Sequence, residues 1–270
     1  MDDYMKANRE LWNKLARIHH KSEFYDVDGF LKGNQTLDPI ELEELPELKG
    51  RTLLHLQCHF GMDTLSLARL GADVTGVDFS SEAIELAIEL SKTANIDAKF
   101  VCTNIYDLRE KLNGKFDIVF TSGGVIMWLP DLKEWARIIA HFLKPGGIFY
   151  IREFHPFGYV FDDDEDVTDL RVRYPYFQGK NPLSFEDEGT YADKSAKTGK
   201  MRSYEWNHSF SEIINVLIDV GLTIEFLHEF PMTTFKALPF MIEKEAGRWF
   251  LPDEEDKVPF MFSLKAAKRE

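Results

Sequence analysis

From Arg51 to Glu153, short aliphatic and β-branched runs alternate with segments of helical period, and no other feature of the sequence constrains the fold as much. Parallel strands joined by right-handed helical crossovers produce that alternation, whereas runs of strands or of helices alone do not. Thr52 to Leu56 is predicted as the first strand, Ala72 to Val77 as the second, Lys99 to Thr103 as the third, Phe116 to Thr121 as the fourth and Ile148 to Glu153 as the fifth. Between them, Asp63 or Thr64 caps a short helix that stops at Gly71, and Ser80 caps a second helix. In that second helix Ala83, Leu86, Ala87 and Leu90 fall at i, i+3, i+4 and i+7, one face for packing on a sheet. Leu132, Trp135, Ala136 and Ile139 repeat the stripe, and Lys144-Pro145-Gly146-Gly147 is expected to end it.

Between His155 and Asn207 the pattern dissolves into acidic, aromatic and Gly/Pro-rich sequence, longer than an ordinary connection, which predicts a functional lid. Order returns at Ser209-Phe210-Ser211-Glu212, a capping-box spacing. Ile213, Val216, Leu217 and Val220 share the next helix face, and Gly221 stops it. Leu222 to Phe230 and Pro259 to Lys265 read as two further strands, separated by a loop containing Phe235, Phe240, Trp249 and Phe250. The expected architecture is α/β, doubly wound, with a seven-stranded sheet. Residues 1–50, with a helical stretch from Asn8 to His19, read as a cap over the sheet or as a helix covering its edge. One structural domain is expected, with 1–50 as cap, 51–153 and 208–270 as core, and 154–207 as lid.

Composition narrows the function. No apolar run approaches the roughly 20 residues of a membrane span, and Met1 to Glu10 has no signal-like apolar stretch, so a cytoplasmic protein without a membrane partner is expected. A net charge of -14 without a basic run argues against nucleic acid. Cys58 and Cys102 read as free thiols. Cys58-His59 and His19-His20 lack a repeating ligand spacing, so no metal is expected.

Open parallel sheets bind ligands outside the carboxyl ends of their strands, so the loops after the first four strands matter most. The first runs from Leu54 to Thr64 and holds one glycine, Gly61, where backbone can approach a ligand. The second, Thr75-Gly76-Val77-Asp78-Phe79-Ser80, puts a carboxylate where it can accept two hydrogen bonds from a ribose diol, with Phe79 placed for an adenine face; a turn or helix-entry acid is the plainer role for Asp78. In the third, Thr103-Asn104-Ile105-Tyr106, Asn104 is suited to an adenine edge, and the fourth is Thr121-Ser122-Gly123-Gly124.

In order, spacing and the Leu143-Lys144-Pro145-Gly146-Gly147 turn, this stretch resembles the class I S-adenosylmethionine-dependent methyltransferases. The resemblance implies a mostly parallel sheet whose last strand is antiparallel. It implies S-adenosyl-L-methionine as cofactor, S-adenosyl-L-homocysteine as product and a small-molecule methyl acceptor. Gln57, Cys58, His59 and Gly61 would hold the methionine moiety, Asp78 the ribose, Phe79, Asn104 and Ile105 the adenine, and Ser122 would line the methionine end. In the first loop an acid and two glycines are usual in that family, but His55, Gln57 and His59 stand here. Side chains at Gln57 and His59 restrict the loop's φ, and either replace backbone contacts or obstruct the site.

If the acceptor needs a base, His155 and His208 are the imidazoles best placed in sequence, each weighed against a structural role. Tyr159, Tyr191 and Trp206 are candidates for an aromatic acceptor pocket, compatible with an amine, or simply core under a long loop. A monomer or homodimer is expected. Two rivals stand: a nicotinamide-dinucleotide enzyme, since Asp78 lies near the spacing of its ribose acid, and a noncatalytic nucleotide-binding protein on the same fold.

Overall fold

The strand signals yield seven strands in a single sheet: β1 (Thr52–Leu56), β2 (Asp73–Asp78), β3 (Lys99–Cys102), β4 (Phe116–Thr121), β5 (Leu143–Phe154), β6 (Leu222–Phe230) and β7 (Met261–Lys268). This is a computed structural model, and it describes residues 2–245, 247–252 and 257–269. The order is β3-β2-β1-β4-β5-β7-β6. The first five strands pair in parallel, and β7 runs antiparallel between β5 and β6. The order reverses at β1, so a crevice opens where the β1 and β4 crossovers part to opposite faces.

Eight helices surround the sheet among the described residues: α1 (Asp3–His19), α2 (Val27–Leu31), α3 (Pro39–Glu44), α4 (Met62–Arg69), α5 (Ser81–Ala94), α6 (Leu108–Lys111), α7 (Leu132–Phe142) and α8 (Phe210–Asp219). Side-chain alternation assigns the two faces. Leu54, Val119, Phe149 and Leu264 pack with Trp135, Ile139 and Leu217 of α7 and α8. Leu53, Ile118, Phe120 and Tyr150 face Leu37, Leu48 and Leu67 on the other side. Burial on both faces explains why the parallel strands read as continuous apolar runs.

The local signals hold where they are local. Ser80 Oγ accepts the Ala83 amide at 3.1 Å, and Ser209 Oγ accepts that of Glu212 at 3.2 Å. The Glu212 carboxylate, expected to complete the box, turns instead to His208 Nδ1 at 3.3 Å. Lys144 to Gly147 do not delay β5, as expected from the Pro-Gly-Gly run, but bulge from it: the β4–β5 register slips between the Phe116–Leu143 and Ile118–Ile148 pairs. Lys144 Nζ anchors the bulge on Asp117 Oδ2 at 2.8 Å.

Three regions depend on distant contacts. The 154–207 insertion contains an antiparallel ribbon, Leu183–Asp187 with Met201–Glu205. That ribbon lies against α1, where Asn8 donates to the Tyr204 carbonyl at 2.7 Å and accepts the Tyr204 amide at 2.9 Å. The loop between β6 and β7 carries a small three-stranded sheet, Met232–Thr233, Ile242–Glu245 and Arg248–Phe250, which its irregular sequence did not announce. Its Leu238, Met241 and Leu251 pack with Val160 and Phe161 of the insertion. Among the described residues no helix is long and apolar enough to cross a membrane.

Candidate active site

A cavity of about 790 Å³ lies at the carboxyl ends of β1 to β4, within the size range of ligand pockets. The loop after β1 forms its floor through three left-handed residues, Gln57 (φ 56°), His59 (φ 52°) and Gly61 (φ 81°). Two of these carry side chains, and each conformation is held by a bond: Gln57 Nε2 donates to the Val125 carbonyl at 3.0 Å and the His59 amide donates to Asp78 Oδ2 at 2.9 Å. Gly61 is required by packing. A Cβ there would sit 2.8 Å from the Phe100 ring and 3.0 Å from Ala87 Cβ.

Asp78, at the end of β2, accepts the His59 amide on one oxygen and the Ser80 amide on the other at 2.9 Å. Burial pushes its carboxyl up to about 6, against the pull of the Ser80, His59 and Phe79 amides. A carboxylate has about four lone-pair positions, more than these amides fill. Asn104 Oδ1 accepts the Tyr106 amide at 3.0 Å and caps a short 3₁₀ turn, leaving its Nδ2 amide as the group to meet a ligand. Phe79 and Ile105 line the same wall.

At the end of β4, Ser122 Oγ lies 3.4 Å from His55 Nε2, whose Nδ1 meets Thr64 Oγ1 at 2.8 Å. Burial lowers the His55 imidazole to about 3, so it is neutral. The following turn is clamped by Glu153, which accepts the amides of Gly124, Val125 (2.8 Å) and Ile126 (3.0 Å). Burial raises this carboxyl and those amides oppose the rise.

The roof comes from the N-terminal segment and the insertion. Trp12, His19 and Tyr25 surround the His59 ring at centroid distances of 5.5, 5.2 and 5.5 Å. Burial, with His19 nearby, holds the His59 imidazole well below its ordinary range, and among the described residues its Nε2 has no hydrogen-bond partner. The Tyr25 hydroxyl bonds that of Tyr191, and His19 Nε2 meets Thr190 Oγ1 at 2.6 Å. Arg152 reaches the cavity from β5, with Nε 3.0 Å from Glu41 Oε1 of α3. The acceptor at β2, the ring of Phe79 and the amide of Asn104 fit an adenosyl group. His59 folds into the roof cluster instead of filling the cavity.

Gln57, Cys58, His59, Gly61, Asp78, Phe79, Asn104, Ile105, Ser122, Tyr159 and Tyr191 all line this space. His155, His208 and Trp206 do not. His155 is buried, its Nε2 3.0 Å from Glu229 and its Nδ1 accepting the Phe157 amide at 3.1 Å. His208 Nε2 donates to the Leu129 carbonyl at 2.7 Å. His208 and Trp206 border a separate chamber of about 260 Å³. Trp12, Tyr25 and Arg152 also line the main cavity and carry no signal in sequence, because they arrive from the cap and from a strand whose period does not mark them.

Residues 53–147 match the methyltransferase domain family. Over 142 residues, 52% of this chain, the protein is 32% identical to the ubiquinone biosynthesis O-methyltransferase of Xanthomonas euvesicatoria pv. vesicatoria, spanning 58% of that relative's length. The chain thus spans less than two thirds of the curated relatives it matches. The fold is shared with an S-adenosylmethionine-dependent methyltransferase from Mesorhizobium loti (TM-score 0.57, 22% identity, covering 89% of this chain and 99% of that one). It is also shared with one from Clostridium acetobutylicum ATCC 824 (TM-score 0.57, 16% identity, 96% and 100%). Residues 53–147 are thus similar to a methyltransferase domain, and the seven-stranded fold is the one those solved structures have.

Proposed function

We propose that the protein transfers a methyl group from S-adenosylmethionine to a small organic acceptor held between the core, the cap and the insertion. The convergence of the Gly61 loop, Asp78, Asn104 and Ser122 on one cavity carries this reading. The antiparallel β7 favours it over a nicotinamide enzyme, in which such a strand is not expected. Relatives named ubiquinone biosynthesis O-methyltransferase support a small-molecule acceptor. Acidic charge without a basic stripe argues against nucleic acid, and a cytoplasmic monomer or homodimer is the simplest setting.

When bound, the cofactor supplies a methyl group already activated on a positive sulfur, so the protein mainly aligns the acceptor and excludes water. Asp78 would accept from the ribose diol, Phe79 would cover the adenine and Asn104 Nδ2 would donate to its edge. Glu153 keeps the Gly124–Ile126 turn in place under the methionine end. Trp12, Tyr25 and Tyr191 close the space from above. Calorimetric titration with S-adenosylhomocysteine, followed by a metabolite screen for cofactor-dependent release of that product, tests the proposal. Absence of binding would favour a noncatalytic protein that kept the fold.

A further inference from the structure

Beside the main cavity lies the chamber of about 260 Å³, which shares Met127, Phe154, Tyr159, Glu205 and Phe235 with it. Its walls are aromatic, with Tyr159, Tyr176, Phe185 and Trp206 among them, and among the described residues no lysine or arginine lines it. Its charged border is negative, with Glu205 inside and the exposed Asp163 and Asp187 toward solvent. Glu153 also borders it, but its oxygens are occupied by backbone amides. Glu205 differs: among the described residues no group hydrogen-bonds or ion-pairs with its side chain, and it stands on the ribbon strand Met201–Glu205. Burial, then Asp187 and Asp163, pushes its carboxyl up to about 7. A half-buried carboxylate beside two more acids and several rings makes a setting that attracts positive charge.

We propose that this chamber binds the ammonium group of a small organic cation, with Glu205 as the counter-charge and the Tyr159, Tyr176 and Trp206 rings as its wall. Aromatic rings and a carboxylate together recognise alkylated ammonium groups, since both attract positive charge and the rings replace its weak hydration. The shared border at Tyr159 and Glu205 leads from the chamber to the cavity where the methyl donor is placed. The cation is therefore part of the methyl acceptor, an assignment that rests on the methyl-transfer reading; the site itself does not.

The test compares choline with its uncharged isostere 3,3-dimethylbutan-1-ol by calorimetry on the full chain, with S-adenosylhomocysteine titrated in parallel. Choline should bind saturably and at least about tenfold more tightly than the alcohol, and Glu205→Gln should erase that preference. If Glu205→Gln melts early, Tyr159→Leu replaces it, with choline expected to lose about threefold or more while the alcohol does not. No choline binding, equal affinity for the two probes, or a preference that survives in a folded Glu205→Gln protein overturns the proposal. Choline binding without S-adenosylhomocysteine binding keeps the cation site and removes the methyl-transfer reading; the reverse result removes the cation site alone.

Discussion

The backbone amide of His59 donates to Asp78 Oδ2 across 2.9 Å, and the left-handed backbone of His59, φ 52°, sets that amide's direction. The loop after β1 therefore keeps a glycine-like path although Gln57 and His59 carry side chains. Each of those residues is over-determined by neighbours, which is what permits an uncommon φ in a non-glycine residue.

Asp78→Ala should weaken S-adenosylhomocysteine binding at least about tenfold, as loss of a charged acceptor costs on the order of 1.5 to 3 kcal/mol. Unchanged affinity in calorimetry would remove Asp78 from ligand recognition.

The same residue sets a pH dependence. Its folded value of about 6 lies above the ordinary 3.8, so the folded state holds the proton more tightly. Its stabilising contribution is complete below the ordinary value and is lost as pH rises through about 6. Asp78→Asn cannot ionise, so its stability relative to the wild type should improve from pH 4 to pH 7 in urea melts. A difference that stays constant over that range would contradict the shift.

At position 59, His59→Val should destabilise the protein more than His59→Gly, by about 1 to 3 kcal/mol, because a β-branched residue resists positive φ while glycine does not. Both lose the ring packing against Trp12 and Tyr25, so that term largely cancels in the comparison. Chemical denaturation giving equal stabilities would show that the φ carries no strain.

Glu41 is fully buried, and its ion pair with Arg152 joins α3 to β5. Burial pushes the Glu41 carboxyl up and the Arg152 guanidinium beside it pulls it down. Glu41→Ala leaves that guanidinium buried without its partner and should cost about 3 to 5 kcal/mol. A double change, Glu41→Leu with Arg152→Met, should recover much of the loss; equal damage from the single and double changes would mean that the pair is not what matters.

The insertion is held to α1 by the two bonds between Asn8 and Tyr204. Asn8→Ala leaves both Tyr204 backbone groups without that partner, costing about 1 to 3 kcal/mol. Limited proteolysis between Asp162 and Lys200 should then accelerate, and bound S-adenosylhomocysteine should slow it in the wild type. Cleavage rates indifferent to both would make the segment a surface embellishment.

Legibility followed the range of the interaction. β1, β4 and β6 begin and end where their aliphatic runs do, since a run bounded by turn residues is a local fact. The helix at the N-terminus starts earlier than its apolar period suggests, at Asp3, because Asp2 Oδ1 caps the Met5 amide at 2.8 Å. His155 and His208 looked available because sequence shows that an imidazole is near a strand end but not what its nitrogens meet.

By itself the sequence determined the alternating α/β frame and the four strand tips carrying Gly61, Asp78, Asn104 and Ser122, because strand period and parallel connection place successive strand ends on one edge. Tertiary structure alone decided that Trp12, Tyr25 and Tyr191 roof that edge, that Glu205 stands at the border of a second chamber, and that two histidines face elsewhere. Those contacts join residues as far apart in sequence as Asn8 and Tyr204, and no local period encodes which distant surfaces will meet.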